Sequence, residues 1–289
     1  MTFNPEARYL IAGASGMLGT DLSRSLEGRD VSALSRQQLD ISDAAASLEA
    51  TRGFDVIINA AAYTRVDDAE ADESTATLVN ARGAENLARA AAAHGAVFVQ
   101  FSTDYVFDGS ASEPYAEDAP LNPLGAYGRS KAAGERAALD ANPWRTVILR
   151  TAWLYGEHGP NFARTMLRLA DERDTVDVVA DQFGQPTFTR DVATQTIALL
   201  DSGIVAGVFH ATNSGRASWF EFARAVFEGA GLDPDRVKPI DGAQFDRPAP
   251  RPANSVLGHD AWQATGLAPM RPWREALDEA QKTGAVKAK

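Results

Sequence analysis

Apolar positions in the first half of the chain fall into short unbroken runs separated by stretches with helical spacing. Tyr9–Ala12, Val31–Leu34, Val56–Asn59 and Val97–Ser102 read as strands with little alternation, the pattern of strands buried on both faces. Between the first two, Leu18, Leu22 and Leu26 recur along one helix face, and residues 75–93 form an alanine-rich helical stretch. This alternation predicts an α/β fold built on a doubly wound parallel sheet, the Rossmann arrangement. Beyond residue 150 the pattern is less regular. Helices are expected over residues 161–173, Thr189–Leu200 and Ser218–Leu232, with a strand at Gly207–Ala211. The helix at 189–200 and the strand after it are expected to return to the large sheet. Residues 245–257, FDRPAPRPANSVL, are too rich in proline for regular structure. The division expected is a dinucleotide-binding part, 1–150 and 184–213, with a smaller discontinuous α/β substrate part, 151–183 and 214–289.

The candidate chemistry sits at strand ends. Gly13, Gly16 and Gly19 occupy the turn between the first strand and first helix, where glycine lets the backbone turn tightly and approach a pyrophosphate. After the second strand comes Ser35-Arg36. An acid there suits an unmodified adenosine ribose and a basic residue suits a 2′-phosphate, so the sequence favours NADPH, with NADH possible. Leu39-Asp40-Ile41 offers a carboxylate and a backbone amide toward an adenine edge. Tyr127 and Lys131 are four apart on a predicted helix and share a face. Tyr127 then serves as acid toward a carbonyl oxygen, while the Lys131 ammonium lowers its pKa and holds the nicotinamide ribose. Thr103, at the end of a buried strand, offers a hydroxyl to the same oxygen.

Composition narrows the classes. With 28 Lys and Arg against 39 Asp and Glu, the net charge of -11 argues against a nucleic-acid partner. The absence of cysteine removes disulfides, thiolate nucleophiles and cysteine-ligated zinc. The four histidines are scattered, and no apolar run approaches membrane-spanning length. A cytoplasmic protein is expected.

The segments GASGMLG, DVIINAAAYTRVDDAE, FSTDYVFDG, PLGAYGRSKAAGE, RTAWLYG, DQFGQPT and RPANSVL carry a resemblance over almost the whole chain. It is to the extended short-chain dehydrogenases/reductases, and within them the dTDP-4-dehydrorhamnose reductases. That resemblance implies reduction of the 4-keto group of dTDP-4-dehydro-6-deoxy-L-mannose by NAD(P)H, giving dTDP-L-rhamnose. It implies that Thr103 and Asp104 touch the sugar and that Trp153 stacks on it or gates it. Gly16, Met17 and Leu18 would face the cofactor diphosphate, and Asp40 and Ile41 the adenine. Ala61, Ala62 and Thr64 would face the adjoining ribose and phosphate, and Arg247 and Arg251 the substrate phosphates. Some relatives are dimers bridged by magnesium through glutamates. Arg190 stands at one such place here, so no metal is expected, and the expected state is a monomer or a homodimer. Two alternatives stay open: a related nucleotide-sugar epimerase or dehydratase, and a non-catalytic regulatory subunit like that of methionine adenosyltransferase.

Overall fold

Runs of Val, Ile and Phe leave a strand no polar face to turn toward water, so such strands must be covered on both sides. The computed structural model, which describes residues 6–245 and 247–287, has this architecture. Strands β1 (Arg8–Ala12), β2 (Asp30–Leu34), β3 (Val56–Asn59), β4 (Val97–Thr103) and β5 (Thr146–Thr151) join a sixth, Gly207–His210. All pair in parallel, in the order sixth-β5-β4-β3-β1-β2. The winding reverses between β1 and β3, and open α/β sheets bind ligands beyond the strand ends at such a point. β4 runs one residue past its predicted end, carrying Thr103 into the strand.

One face of the sheet is covered by α1 (Met17–Ser25) and the helix Thr189–Asp201, through Leu22, Val192 and Leu200. The other face is covered by the helices Ala84–His94 and Ala126–Ala141, through Leu87, Ala91 and Ala138. Each fully buried Leu or Ile among these contributes roughly 1.5–3 kcal/mol.

The helix expected over 75–93 is interrupted. A short helix, Glu73–Thr77, passes into a π-helical turn, Leu78–Gly83, before Ala84–His94 continues. Such wide turns arise where a side chain is needed elsewhere, and here it is Asn80. Its amide accepts from the Tyr63 backbone N–H (2.8 Å) and donates to the Tyr63 carbonyl (3.0 Å) and the Ser130 hydroxyl (2.9 Å). The Asn80 carbonyl lies so near the helix Ala126–Ala141 that a Cβ on Gly134 would stand 2.1 Å from it.

A second apolar cluster lies apart from the sheet. Helices Phe162–Glu172, Trp219–Gly229 and Trp273–Lys282 enclose Met166, Phe222, Phe227 and Leu277, beside the parallel pair Val176–Val179 and Val237–Ile240. Late residues also return to the sheet: Trp262 and Met270 pack into its first core, and the Trp262 indole donates to the His210 carbonyl (2.8 Å). Residues 247–257 form no helix or strand, as their prolines require. They are tied down by single bonds such as Ser255 N–H to the Phe183 carbonyl (2.8 Å). Among the described residues no helix is long and apolar enough to cross a membrane.

Candidate active site

The glycine turn divides its three residues between two duties. Gly13 has φ +81°, and a Cβ there would lie 2.5 Å from the Ala61 nitrogen. A Cβ on Gly19 would lie 2.3 Å from the Gly13 carbonyl. Both glycines are therefore demanded by packing alone. Gly16 has ordinary backbone angles and nothing closer than 3.3 Å, yet it is exposed and precedes α1, whose first turn carries no side-chain cap. Uncapped N–H groups at a helix start, with no Cβ over them, fit the diphosphate of a dinucleotide.

The other residues expected around a cofactor are spread along the same edge. Met17 lies beside Gly156, whereas Leu18 is buried in the core, so only its backbone faces the turn. Ser35 follows β2 and donates to Gln38 (2.9 Å), and Arg36 is exposed. Asp40 accepts from the Ser42 hydroxyl (2.7 Å) and N–H (3.0 Å), which hold its carboxyl below the usual range. One of its oxygens is thus committed within its own turn. Ile41 is buried against Gly83. Ala61 and Ala62 are half-buried after β3, with the Ala61 N–H given to Asn59 (3.1 Å), and Thr64 is exposed.

Thr103, Asp104, Tyr127 and Lys131 meet at the end of β4. The Thr103 hydroxyl donates to Asp104 Oδ1 (2.9 Å) and accepts from the Tyr105 N–H (3.2 Å). It also stands close enough to Tyr127 to favour that phenol's ionised form. Lys131 Nζ, 4% exposed, donates to the Phe101 carbonyl (2.6 Å). Lys131 does not depress the Tyr127 pKa as expected. Burial pushes the phenol up to about 12, with Thr103 opposing and Asp104 adding to the rise, because the site holds too little water to hydrate a phenolate. Burial likewise takes Lys131 down to about 8, against the pull of Glu135.

Behind Lys131 lies a charged network with every partner filled. Arg150 makes an ion pair with Glu135 (2.8 Å), both nearly inaccessible, and donates to the Glu117 carbonyl (2.8 Å). It also donates to His210 Nε2 (3.3 Å), leaving His210 Nδ1–H to donate to the Gly258 carbonyl (2.8 Å). Burial and the Arg150 charge hold His210 neutral, with its pKa down to about 3. At the ends of β4 and β5, by contrast, Ser102 Oγ, Asp104 Oδ2 and Thr151 Oγ1 are buried without a hydrogen-bond partner. Thr151 is registered directly opposite Thr103 across β4 and β5.

A cleft of about 1120 Å³ opens beside this tip, walled by Tyr105, Trp219, Phe245, Arg247 and Arg251. Tyr105 stands edge-on to Tyr127, ring centres 5.9 Å apart, and so joins cleft to tip. Arg251 is not a free cation: it donates twice to Asp67 (2.9 and 3.0 Å). Arg247 lies over the Phe245 ring (4.5 Å). Trp153 has φ +45°, the one non-glycine residue in the left-handed region among those described, and stacks on Trp219 at 3.5 Å. A bulky residue held in that region is an outlier whose strain the surroundings must fix. Arg190 and Arg24 both bond Glu157 (2.7 and 2.8 Å), and no group of three or more acidic or histidine side chains able to hold a metal gathers among the described residues.

Sequence reading missed Trp219, Asp67, Asn80 and the Glu135–Arg150–His210 network. Only Glu135 carried a signal, four residues after Lys131 on the same helix face.

Comparison with known proteins gives the family. The profile of the RmlD substrate binding domain matches residues 7–285. A probable dTDP-4,6-dihydroxy-2-methyloxan-3-one 4-ketoreductase of Streptomyces antibioticus is 51% identical over 94% of this chain and 94% of its own. A dTDP-4-dehydrorhamnose reductase of Streptomyces griseus is 48% identical over 95% and 93%. The crystal structure of dTDP-4-dehydrorhamnose reductase from Bacillus anthracis, in complex with NADP, superposes with a TM-score of 0.93 at 37% identity, covering 96% of this chain and 99% of that one. With a profile match over nearly its whole length and relatives near half identical, the chain belongs to the RmlD family, the dTDP-4-dehydrorhamnose reductases among the extended short-chain dehydrogenases/reductases.

Proposed function

We propose that this chain reduces the 4-keto group of dTDP-4-dehydro-6-deoxy-L-mannose to give dTDP-L-rhamnose, acting in the cytoplasm. The reading rests above all on the meeting of Thr103, Tyr127 and Lys131 beside the cleft. Gly16 and the end of β2 would hold NADPH, which when bound would supply the hydride. Arg36, exposed after β2, would take its 2′-phosphate. Asp40 and Ile41 would border the adenine through the backbone, and Ala61, Ala62 and Thr64 the adjoining ribose and phosphate.

Tyr127 keeps its proton in the resting site because burial disfavours the phenolate. An alkoxide forming on the sugar is a far stronger base, so the proton passes to it as charge develops. Lys131, anchored on the Phe101 carbonyl, would hold the ribose hydroxyls of the cofactor. The cleft is roomy enough for a nucleotide sugar, against the ~300–1,000 Å³ of common ligand pockets. Trp153 on Trp219 would form its aromatic floor, and Arg251 a diphosphate contact once Asp67 yields. The second apolar cluster would be the substrate-binding part. Tyr105, where dehydratases place a second acid after Asp104, counts against dehydration.

The test is steady-state oxidation of NADPH with freshly generated dTDP-4-dehydro-6-deoxy-L-mannose, run beside the keto sugar named for the Streptomyces antibioticus relative. Formation of dTDP-L-rhamnose is expected. Oxidation with only the second sugar would correct the substrate, and none with either would remove the reading.

A further inference from the structure

The two acids beside the catalytic tip are treated in opposite ways. Glu135 is matched by Arg150 at 2.8 Å. Asp104, 2% exposed, has no cation of its own: Oδ1 accepts from Thr103 (2.9 Å), and Oδ2 makes no hydrogen bond. A buried carboxyl left so poorly served is expensive to keep ionised. The groups facing it are Thr103 and Tyr105 on its own segment, Tyr127 from the helix Ala126–Ala141, and the Ser255 hydroxyl from the proline-rich segment.

We propose that Asp104 returns a proton to Tyr127 after each turnover, passing it through the Thr103 hydroxyl. The inference rests on the reductase reading above. In the chemical step the keto carbon gains a hydride, the Tyr127 O–H bond breaks and the sugar O–H bond forms, leaving Tyr127 as phenolate. The Thr103 O–H bond then breaks as Tyr127 regains its proton. The Asp104 O–H bond breaks as Thr103 regains its own, and the Asp104 carboxylate takes one proton from solvent. The sum is one hydride and one proton consumed per alcohol formed.

Two further observations agree. The Thr103 hydroxyl is bonded to Asp104 (2.9 Å), lies near enough to Tyr127 to favour its phenolate, and has a single proton to give, so on turning toward Tyr127 it would draw a replacement from Asp104. Burial lifts the Asp104 carboxyl to about 6, against Ser255 and Thr103. Asp104 and Tyr127 also resist carrying negative charge together, so a new phenolate draws a proton onto Asp104.

The experiment compares the first turnover with the steady state in wild type and Asp104→Asn, using NADPH and the keto sugar at saturation. The amide cannot supply a proton, so the ratio of first-turnover to steady-state rate should rise roughly 100-fold, at the lower end of what a positioned acid provides. Tyrosinate absorbance should persist after the first turnover in the variant and vanish in wild type. A small weak acid such as formic acid should restore the steady state. Equal slowing of both phases, without lasting tyrosinate, makes Asp104 a sugar contact only and overturns the relay. If Asp104→Asn does not fold, Ser255→Ala carries the test. Loss of a hydroxyl that favours the carboxylate should move the alkaline fall of the steady-state rate to higher pH while the first turnover stays put. No movement overturns the relay. Wild type that fails to oxidise NADPH with the keto sugar removes the reductase reading instead, so the two failures are distinct.

Discussion

The far and near sides of Lys131 are both buried and polar, yet they are built on opposite terms. On the far side, Glu135, Arg150, His210 and the carbonyls of Glu117 and Gly258 satisfy one another completely. On the near side, Ser102, Asp104 and Thr151 each keep an unpartnered oxygen. Unpaired buried polar atoms cost about 1–3 kcal/mol each, so a cluster of them at one strand end calls for a use. The contrast separates what holds the site from what works in it. Removing a near-side group should change turnover, and removing a far-side group should change stability.

Tyr127→Phe tests the near side most severely. The ring keeps its edge-on contact with Tyr105, but no proton is left to give. Turnover should drop about 10²–10⁴-fold, with NADPH affinity held, as read by steady-state kinetics beside a direct cofactor titration. Wild-type-like turnover would remove Tyr127 as the acid.

Arg150→Met tests the far side. It leaves Glu135 buried without a partner, which costs about 3–5 kcal/mol, visible as a lower urea midpoint. Its KM for the sugar should stay within a few-fold, since Arg150 does not face the cleft. Replacing both partners, Glu135→Leu with Arg150→Met, should recover most of the loss. If the double variant is as unstable as the single one, the pair is not the source.

Much of this arrangement was legible beforehand, and the legible part has a common physical origin. β1 to β4, the glycine turn and the Tyr127 helix are set by local periodicity and by short-range turn chemistry, both written along the chain. Thr103 stood out because hydroxyls and carboxylates are costly at the end of a buried strand. The rest depends on contacts across the fold. Nothing near Asn80 announces a partner 50 residues away in Ser130, and the break at Leu78–Gly83 interrupts an otherwise uniform alanine-rich pattern. That Arg251 is held by Asp67, 184 residues earlier, could not be seen along the chain either. The Tyr127 pKa is set in the same way: burial depth, a tertiary property, is its first cause, and spacing along a helix does not reveal it.

Lys131 lies on the boundary between the two sides and responds to both. Its ordinary pKa is lowered to about 8 by burial, so its charge is lost as pH rises through 8 rather than through the usual lysine range. The free-enzyme profile of kcat/KM should therefore fall above about pH 8. The same sign governs stability: keeping a buried ammonium charged is a penalty present below pH 8, and it fades as pH climbs toward the unfolded value. Glu135 is what holds the pKa up, so Glu135→Gln should move the falling limb to lower pH. A limb that stays in place would disconnect the far side from the site.

The smallest effect gives the sharpest division, because it bears on a single hydroxyl. Thr151 sits opposite Thr103 and its Oγ1 has no partner in the fold. Thr151→Val keeps the shape and removes the unpaired oxygen, so the protein should become more stable by up to about 1 kcal/mol. If the hydroxyl serves the sugar, the same change should raise KM by roughly fivefold, the worth of one hydrogen bond near 1 kcal/mol. Gain in midpoint with loss of affinity is the signature of a group that the fold tolerates and the ligand needs. A lower midpoint with unchanged KM would mean that Thr151 belongs with Glu135 and Arg150, and the line between holding and working would have to be redrawn one strand closer to the cleft.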